Sequence, residues 1–474
     1  MAQDLRSYLK QLAERQPEDI VVIDEEVSLS CGPTTIVEKL ESRGQYPLVY
    51  CKKVQDSDMP LIINLGASYS RMALALGYDS IELLQRELGR REAAPIDWNE
   101  VKPEDAPVKE VILKGKDANL DLLPIIQHNE FDAGRYIDAA PLVMKERGTG
   151  EYNAGIYRHQ KQGKHQLGVM INAANHGNYV RAEYEDHDEP TPCYLVVGHH
   201  PALFISAVAK IPGVGKEIEV AGSFLGEAMN MVPAETIDML VPADAEIIIE
   251  GTIPANKRQF EGPFGEWPKH YYKEGDQPYM EVSAITMRKN PIYQTCYNAH
   301  AEHHIIGAVP RLGSLYRRIT ESVPSVQAVN LPLSAMGRSH IYISLKKRAE
   351  GEPKQAAMAA FVTESSIKHA FVVDDDIDVF NEADVLWCMA MRFQADRDLV
   401  IIQNTLGSHL NPTAYGYDRL TKGNMETKLI FDCTKPLPPY EFPKVAKAPV
   451  EAVKKLDLEK TVRTYDSGKD ESLW

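Results

Sequence analysis

Cysteine is scarce in this chain and scattered. The six residues Cys31, Cys51, Cys193, Cys296, Cys388 and Cys433 show no C-x-x-C spacing, which argues against a disulfide framework and a thiolate zinc site. Long apolar runs are lacking too: none approaches the roughly 20 residues that span a bilayer, and Met1-Ala2-Gln3-Asp4-Leu5-Arg6 is no basic segment leading into an apolar one. The expected setting is a reducing cytoplasm, with the chain soluble, unprocessed and without a membrane partner. Positive charge is in deficit, and a net −16 repels phosphate backbones, so nucleic acid is not an expected partner. Nucleotide and hydrolase signatures are missing: no G-x-G-x-x-G follows a strand, Gly213-Val214-Gly215-Lys216 lacks phosphate-loop spacing, and there is no G-x-S-x-G. Asp374-Asp375-Asp376-Ile377-Asp378 alternates acids like a calcium loop, but Val379 stands where Gly belongs and no Glu closes the loop. A solvated strand end is expected there.

What is present suffices for two or three packed domains, at 53.0 kDa and 44% apolar residues. Residues 1–115 alternate helical and extended patterns, with helices expected over Leu5–Leu12, Thr35–Leu40 and Ile81–Leu88 and a strand over Asp19–Ile23. From 116 to 300 short β runs dominate, including Ala140–Met144, Gly168–Ile171, Tyr194–Val197, Ala245–Ile249 and Met280–Met287, as in a barrel-like β domain. His199-His200 reads as a polar loop after one of these strands. From 301 to 440 helix and strand return, with a helix over Ile305–Ile319 and strands over His340–Ser344, Phe371–Val373 and Leu399–Ile402. Residues 441–474, rich in Lys, Glu and Pro, read as an exposed tail.

The segment richest in chemistry is Glu261-Gly262-Pro263-Phe264-Gly265-Glu266. Five residues apart, its carboxylates would lie about 140° apart on a helix and on opposite faces of a strand, so only a turn brings them together. Gly262, Pro263 and Gly265 supply turn chemistry. Two carboxylates at one point separate each other's pKa, which lets one donate a proton beside an ionised partner. Upstream, Asn153-Ala154-Gly155-Ile156-Tyr157-Arg158 ends in a permanent bidentate carboxylate receptor. Asn175-His176 and Glu217, on an expected turn Gly215-Lys216-Glu217, add oxygen and nitrogen donors that suit Mn²⁺ or Mg²⁺.

Taken in order, Asn153 to Arg158, His176, Glu217, Asp238 to Ala243, Ile249-Glu250-Gly251, Glu261 to Glu266, Val373 to Asp378 and Trp387 resemble the UbiD family, in its branch acting on aromatic acids. That resemblance implies a reversible, non-oxidative decarboxylase using prenylated FMN, Mn²⁺ (or Mg²⁺) and K⁺, its cofactor supplied by a flavin prenyltransferase. It also implies an α/β (α+β) fold: an N-terminal α/β region, a central split β-barrel holding the flavin, and a C-terminal α/β domain for homodimerisation or higher assembly. On the same basis Asn153, His176 and Glu217 are metal ligands bridging to the cofactor phosphate. Ile156, Tyr157, Arg158, Asn175 and Lys422 join those three around the flavin. Arg158, Glu261 and Glu266 form the catalytic Glu-Arg-Glu set: Arg158 clamps the substrate carboxylate, Glu261 orients Arg158, and Glu266 protonates the carbon that loses CO2.

The expected substrate is a small hydroxybenzoate-like acid, with CO2 as co-product. Glu302-His303 is similar to the branch acting on hydroxylated benzoates, where a polar group meets a phenol. His303, His304 and Arg311 are the candidate substrate contacts, and Arg311 can pair instead with a second carboxylate or a heteroaromatic acid (furan, pyrrole, indole). An α,β-unsaturated acid is a further alternative. The histidines can equally cap the helix expected from Ile305. Two rival classes are a metal-dependent enzyme without flavin and a flavin storage or maturation protein.

Overall fold

The structure, a computed structural model, describes residues 4–172, 175–209, 211, 215–272 and 274–462. Gly213 and Val214 of the glycine segment and residues 463–474 of the expected tail lie outside the described residues. Residues up to Thr434 form one compact unit and those from Lys435 another. In the second unit the described residues 441–462 are almost all exposed.

The first unit opens with α1 (Leu5–Arg15), whose buried Leu5, Tyr8 and Leu12 share one helical face and whose N-cap Asp4 accepts from the Ser7 N–H at 2.8 Å. Helices α2 (Gly32–Glu41), α3 (Tyr69–Ala75) and α4 (Ile81–Glu92) follow, around a four-stranded sheet. That sheet runs Ile20–Val27, Leu48–Val54, Leu61–Ile63 and then Tyr293–Gln294, so a late strand completes an early sheet.

The central unit holds a nine-stranded antiparallel sheet. Its path runs 136–137, 158–161, 166–170, 279–287, 247–253, 191–197, 141–145 and 152–156, with Val111–Lys114 added to Tyr279–Met287. Among the described residues the path stays open, with its first and last strands unpaired to each other, so the barrel expected from the sequence is not closed. Strand Thr191–Val197 is buried on both faces, because α5 (His176–Asp186), α6 (Pro201–Ser206) and α7 (Glu217–Leu225) cover the sheet. His199 and His200 are buried, not in a polar loop. His200 Nδ1 accepts from the Ala202 N–H at 3.1 Å and so caps α6.

The long helix α8 (Ala301–Ser322) leads into a five-stranded mixed sheet, ordered 326–330, 340–345, 369–374, 425–432 and 399–406. This sheet is flanked by α9 (Glu352–Thr363) and α10 (Glu382–Arg392). The acids after Phe371–Val373 are not merely solvated: Asp374 and Asp376 both accept from Arg392, at 2.7 and 3.0 Å. One apolar cluster runs from Leu88 of α4 through Phe224 of α7 and Leu312 of α8 to Ile343 and Ile430 of the last sheet. Its continuity places α8 against the central unit and fixes what α8 presents to the cavity beside it.

Candidate active site

Glu261 ends the strand Gln259–Glu261 and Glu266 ends the strand Phe264–Glu266. Between them Gly262 lies at φ 90°, a conformation that favours glycine, and the turn brings the two carboxylates to one guanidinium. Arg158, at the start of the strand Arg158–Lys161, donates from Nε and Nη2 to Glu261 at 3.0 and 2.6 Å. Its Nη1 donates to Glu266 at 2.7 Å and to the Tyr272 carbonyl at 3.2 Å. Phe264, between the acids in sequence, packs its ring 5.4 Å from the guanidinium. Glu261 is fully buried in this fork, whereas the Glu266 side chain is one-fifth exposed. Burial raises the Glu266 pKa above the ordinary carboxyl value, against the pull of Arg158.

The Glu266 exposure opens onto a cavity of about 640 Å³, within the usual span of small-molecule sites. Asn153, Ile156, Tyr157, Asn175, His176 and Glu217 line it, as do His303 and Arg311; Arg158 and Glu261 stand behind Glu266. A larger groove of about 720 Å³ lies between α8 and α9, but none of these groups reaches it.

Glu217 is the first residue of α7 rather than part of a turn, and it is buried. Its Oε2 accepts from the Ala154 N–H at 3.1 Å, and burial pushes its pKa up to about 7. Asn153 Nδ2 lies 3.4 Å from Glu217 Oε1, while Asn153 Oδ1 is buried with no hydrogen-bond partner among the described residues. Such an oxygen beside a carboxylate suits a hard or borderline cation. Among the described residues no group of three or more His, Cys, Asp and Glu gathers to hold a metal, so a cation here would draw on the amide oxygen as well. Asn175 and His176 at the start of α5 and Glu217 at the start of α7 line this cavity; the Gly177 N–H at the first of these helix ends bonds Tyr157, and the Lys216 N–H before the second bonds Glu217 Oε2 at 3.3 Å.

The remaining expected residues divide. His304, its pKa pushed down to about 3 by burial, uses Nε2 on the Trp267 carbonyl at 2.8 Å and does not line the cavity. Glu302 meets no substrate: fully buried, it accepts from the N–H groups of Asn64, Gly66 and Tyr297. Lys422 is exposed, with Nζ 3.9 Å from the Tyr272 ring centroid. Arg311 donates from Nε to Glu364 at 3.1 Å and from Nη1 to the Gly307 carbonyl.

Arg338, not singled out by the sequence, lines the same cavity. Its guanidinium lies 5.0 Å from the Trp267 ring centroid, and its Nε is buried with no hydrogen-bond partner among the described residues. Burial, with Arg311 nearby, lowers its pKa to about 9. Two guanidinium groups thus converge on one wall. In sequence Arg338 carries only the signal of Gly337 before it, a turn residue at φ 61°.

The chain matches three domains described for 3-octaprenyl-4-hydroxybenzoate carboxy-lyase: the N-terminal domain over residues 12–91, the Rift-related domain over 99–301 and the C-terminal domain over 303–433. It belongs to the UbiD family. As a UbiD-type enzyme it is a carboxy-lyase, which sets aside the storage-protein alternative. It is 31% identical over 447 residues to an anhydromevalonate phosphate decarboxylase of Methanothermobacter thermautotrophicus, covering 94% of this chain and 100% of that one. It is 31% identical to the phenolic acid decarboxylase of Sedimentibacter hydroxybenzoicus, covering 93% of each. The UbiD-class enzyme HmfF of Pelotomaculum thermopropionicum, solved with FMN, superposes at a TM-score of 0.90 with 31% identity, covering 97% of this chain and 100% of that one. An evolved dimeric HmfF with prenylated FMN gives 0.87 and 30%, with the same coverage. No described helix is long and apolar enough to cross a membrane.

Proposed function

We propose that this UbiD enzyme decarboxylates, reversibly, a small aromatic or heteroaromatic acid that bears a second anionic group. The observation that carries the reading is one guanidinium shared between a sealed carboxylate, Glu261, and a cavity-facing one, Glu266. A substrate carboxylate arriving at Arg158 takes over the Nη1 donor that Glu266 now uses. Glu261 keeps its two bonds and holds the guanidinium in orientation. Glu266, released and favouring its neutral form by burial, keeps a proton on its carboxyl oxygen and delivers it to the carbon from which CO2 has left.

Prenylated FMN, when bound, supplies the electron sink that the released pair requires. Asn153 Oδ1 with Glu217 and His176 would hold a divalent cation that offsets the charge of its phosphate. Arg311 and Arg338 favour the second anion: Glu364 and Glu266 act on the Arg338 charge, yet burial still holds its pKa down and its Nε has no hydrogen-bond partner among the described residues. The likeness to an anhydromevalonate phosphate decarboxylase adds a second reading, an α,β-unsaturated acid carrying a phosphate.

The test is co-expression with a flavin prenyltransferase, an absorbance spectrum and mass of the released cofactor, and ¹³CO2 exchange with monoacids, diacids and phosphate-bearing unsaturated acids. Exchange with diacids or phospho-acids above monoacids is expected. A prenylated flavin with no exchange on any acid overturns the substrate reading, and exchange confined to monoacids removes the second anion from it.

A further inference from the structure

Beside the guanidinium wall, the same cavity is lined by Asp138 and Asn298, neither of which has a part in the chemistry above. Asp138 is buried, and its carboxylate accepts three hydrogen bonds from residues 295–298. Its Oδ1 accepts from the Thr295 hydroxyl at 3.1 Å and the Cys296 N–H at 3.2 Å. Its Oδ2 accepts from Asn298 Nδ2 at 2.9 Å and lies 3.1 Å from His128 Nε2. His128 is itself fixed, with Nε2 also 2.9 Å from the Thr295 hydroxyl. The segment 295–298 is therefore pinned at three points to one buried carboxylate.

That carboxylate decides how the Asn298 amide is turned. Asn298 Nδ2 donates to Asp138 Oδ2, so the NH2 end of the amide faces Asp138 and the carbonyl end points away. Among the described residues no protein donor reaches Asn298 Oδ1, yet the atom is not sealed from the cavity that Asn298 lines. A fixed acceptor is thus presented to whatever fills the cavity. Arg311 and Arg338 beside it only donate.

We infer that Asn298 Oδ1 is a specificity-determining acceptor that selects acids carrying a hydroxyl or ring N–H, and that Asp138, held by His128 and Thr295, is the positioning residue that aims it. This deepens the proposed function and rests on that reading for the acid bound in the cavity. A ligand with a donor satisfies the oxygen, whereas an isostere without one leaves it desolvated and unpaired, which separates the two by about tenfold or more in affinity.

The test is calorimetric titration of the holoenzyme with two isosteric pairs: pyrrole-2,5-dicarboxylate against furan-2,5-dicarboxylate, and 5-hydroxyisophthalate against 5-methoxyisophthalate. Binding is read directly, so the result stands whether or not CO2 exchange is seen, and exchange measured alongside reports on the decarboxylase reading alone. The wild type is expected to prefer the donor-bearing member of at least one pair by about tenfold. Asn298→Leu should bring that ratio near one by weakening only the donor-bearing acid, with the flavin spectrum unchanged. Asp138→Asn, which frees the amide to turn over, should reduce the ratio while Thr295 and Asn298 remain. No preference in either pair, no binding of any of the four acids, a ratio that survives Asn298→Leu, or loss of bound flavin in that variant each overturns the inference, the last because the oxygen then faces the cofactor.

Discussion

Glu266 is held between two opposing influences: burial favours its neutral form and Arg158 its charged one, and the first prevails. Glu266→Gln keeps the shape and removes the proton, so turnover should fall by about 10²–10⁴-fold while flavin occupancy, read by absorbance, is unchanged. The pH profile of kcat carries the sign: a raised pKa keeps the acid protonated above the ordinary carboxyl range, and activity declines on the alkaline side as the proton is lost. An alkaline limb that persists unchanged in Glu266→Asp would count against Glu266 as the donor. Arg338→Gln should raise KM for diacids about tenfold or more and leave monoacids nearly unaffected; equal effects on both would remove Arg338 from substrate recognition. The Glu261–Glu266 turn was legible in the sequence because Gly262 and Pro263 advertise it locally. Arg338 was not, because its meaning depends on Arg311 and Trp267, which only the fold brings to it.

Elements were legible wherever their own residues specify them. The strand expected over His340–Ser344, found over His340–Leu345, and the apolar spacing of α1 need no distant partner. The start of α8 does. The sequence suggests Ile305, whereas the helix begins at Ala301, and its N-cap His300 makes no capping bond. The capping carboxylate comes instead from Glu41 at the end of α2, which accepts from the Ala301 N–H at 3.0 Å and pairs with His300 Nδ1 at 2.7 Å. A cap supplied from so far along the chain leaves no local signal. Burial opposes the charge on Glu41, but the bonds to His300 and Ala301 outweigh it and hold its pKa below the ordinary value. Its contribution is therefore present above the unfolded carboxyl range and lost as pH falls through it. Glu41→Ala should cost about 1 kcal/mol at pH 7, seen as a lower melting temperature, with the gap to wild type narrowing under acid conditions. A gap independent of pH would show that the carboxylate charge is not what caps α8.

At the scale of the whole molecule, α8 joins the first unit's early residues to the cavity. On one turn Glu302 is tied to the backbone of Asn64 and Gly66, while His303 and Arg311 of the same helix line the cavity. From the sequence Glu302 reads as a polar group meeting a phenol, since a carboxylate beside two histidines looks like a site. It is a fastener because the three N–H groups it satisfies belong to segments far apart in the chain. Complete burial outweighs those bonds and pushes its pKa up to about 7. The folded state therefore holds the proton more tightly than the unfolded chain does, and the stability tied to it is full below the unfolded value and lost as pH rises through about 7. Over that window the loss amounts to about 3 kcal/mol. Glu302→Gln cannot titrate and mimics the protonated form. Between pH 5 and pH 8 the wild type should therefore lose melting temperature relative to the variant, with the steepest change near neutrality. A difference between the two proteins that stays constant across that range would mean that Glu302 is already charged in the folded state, held by its three backbone donors rather than by a proton.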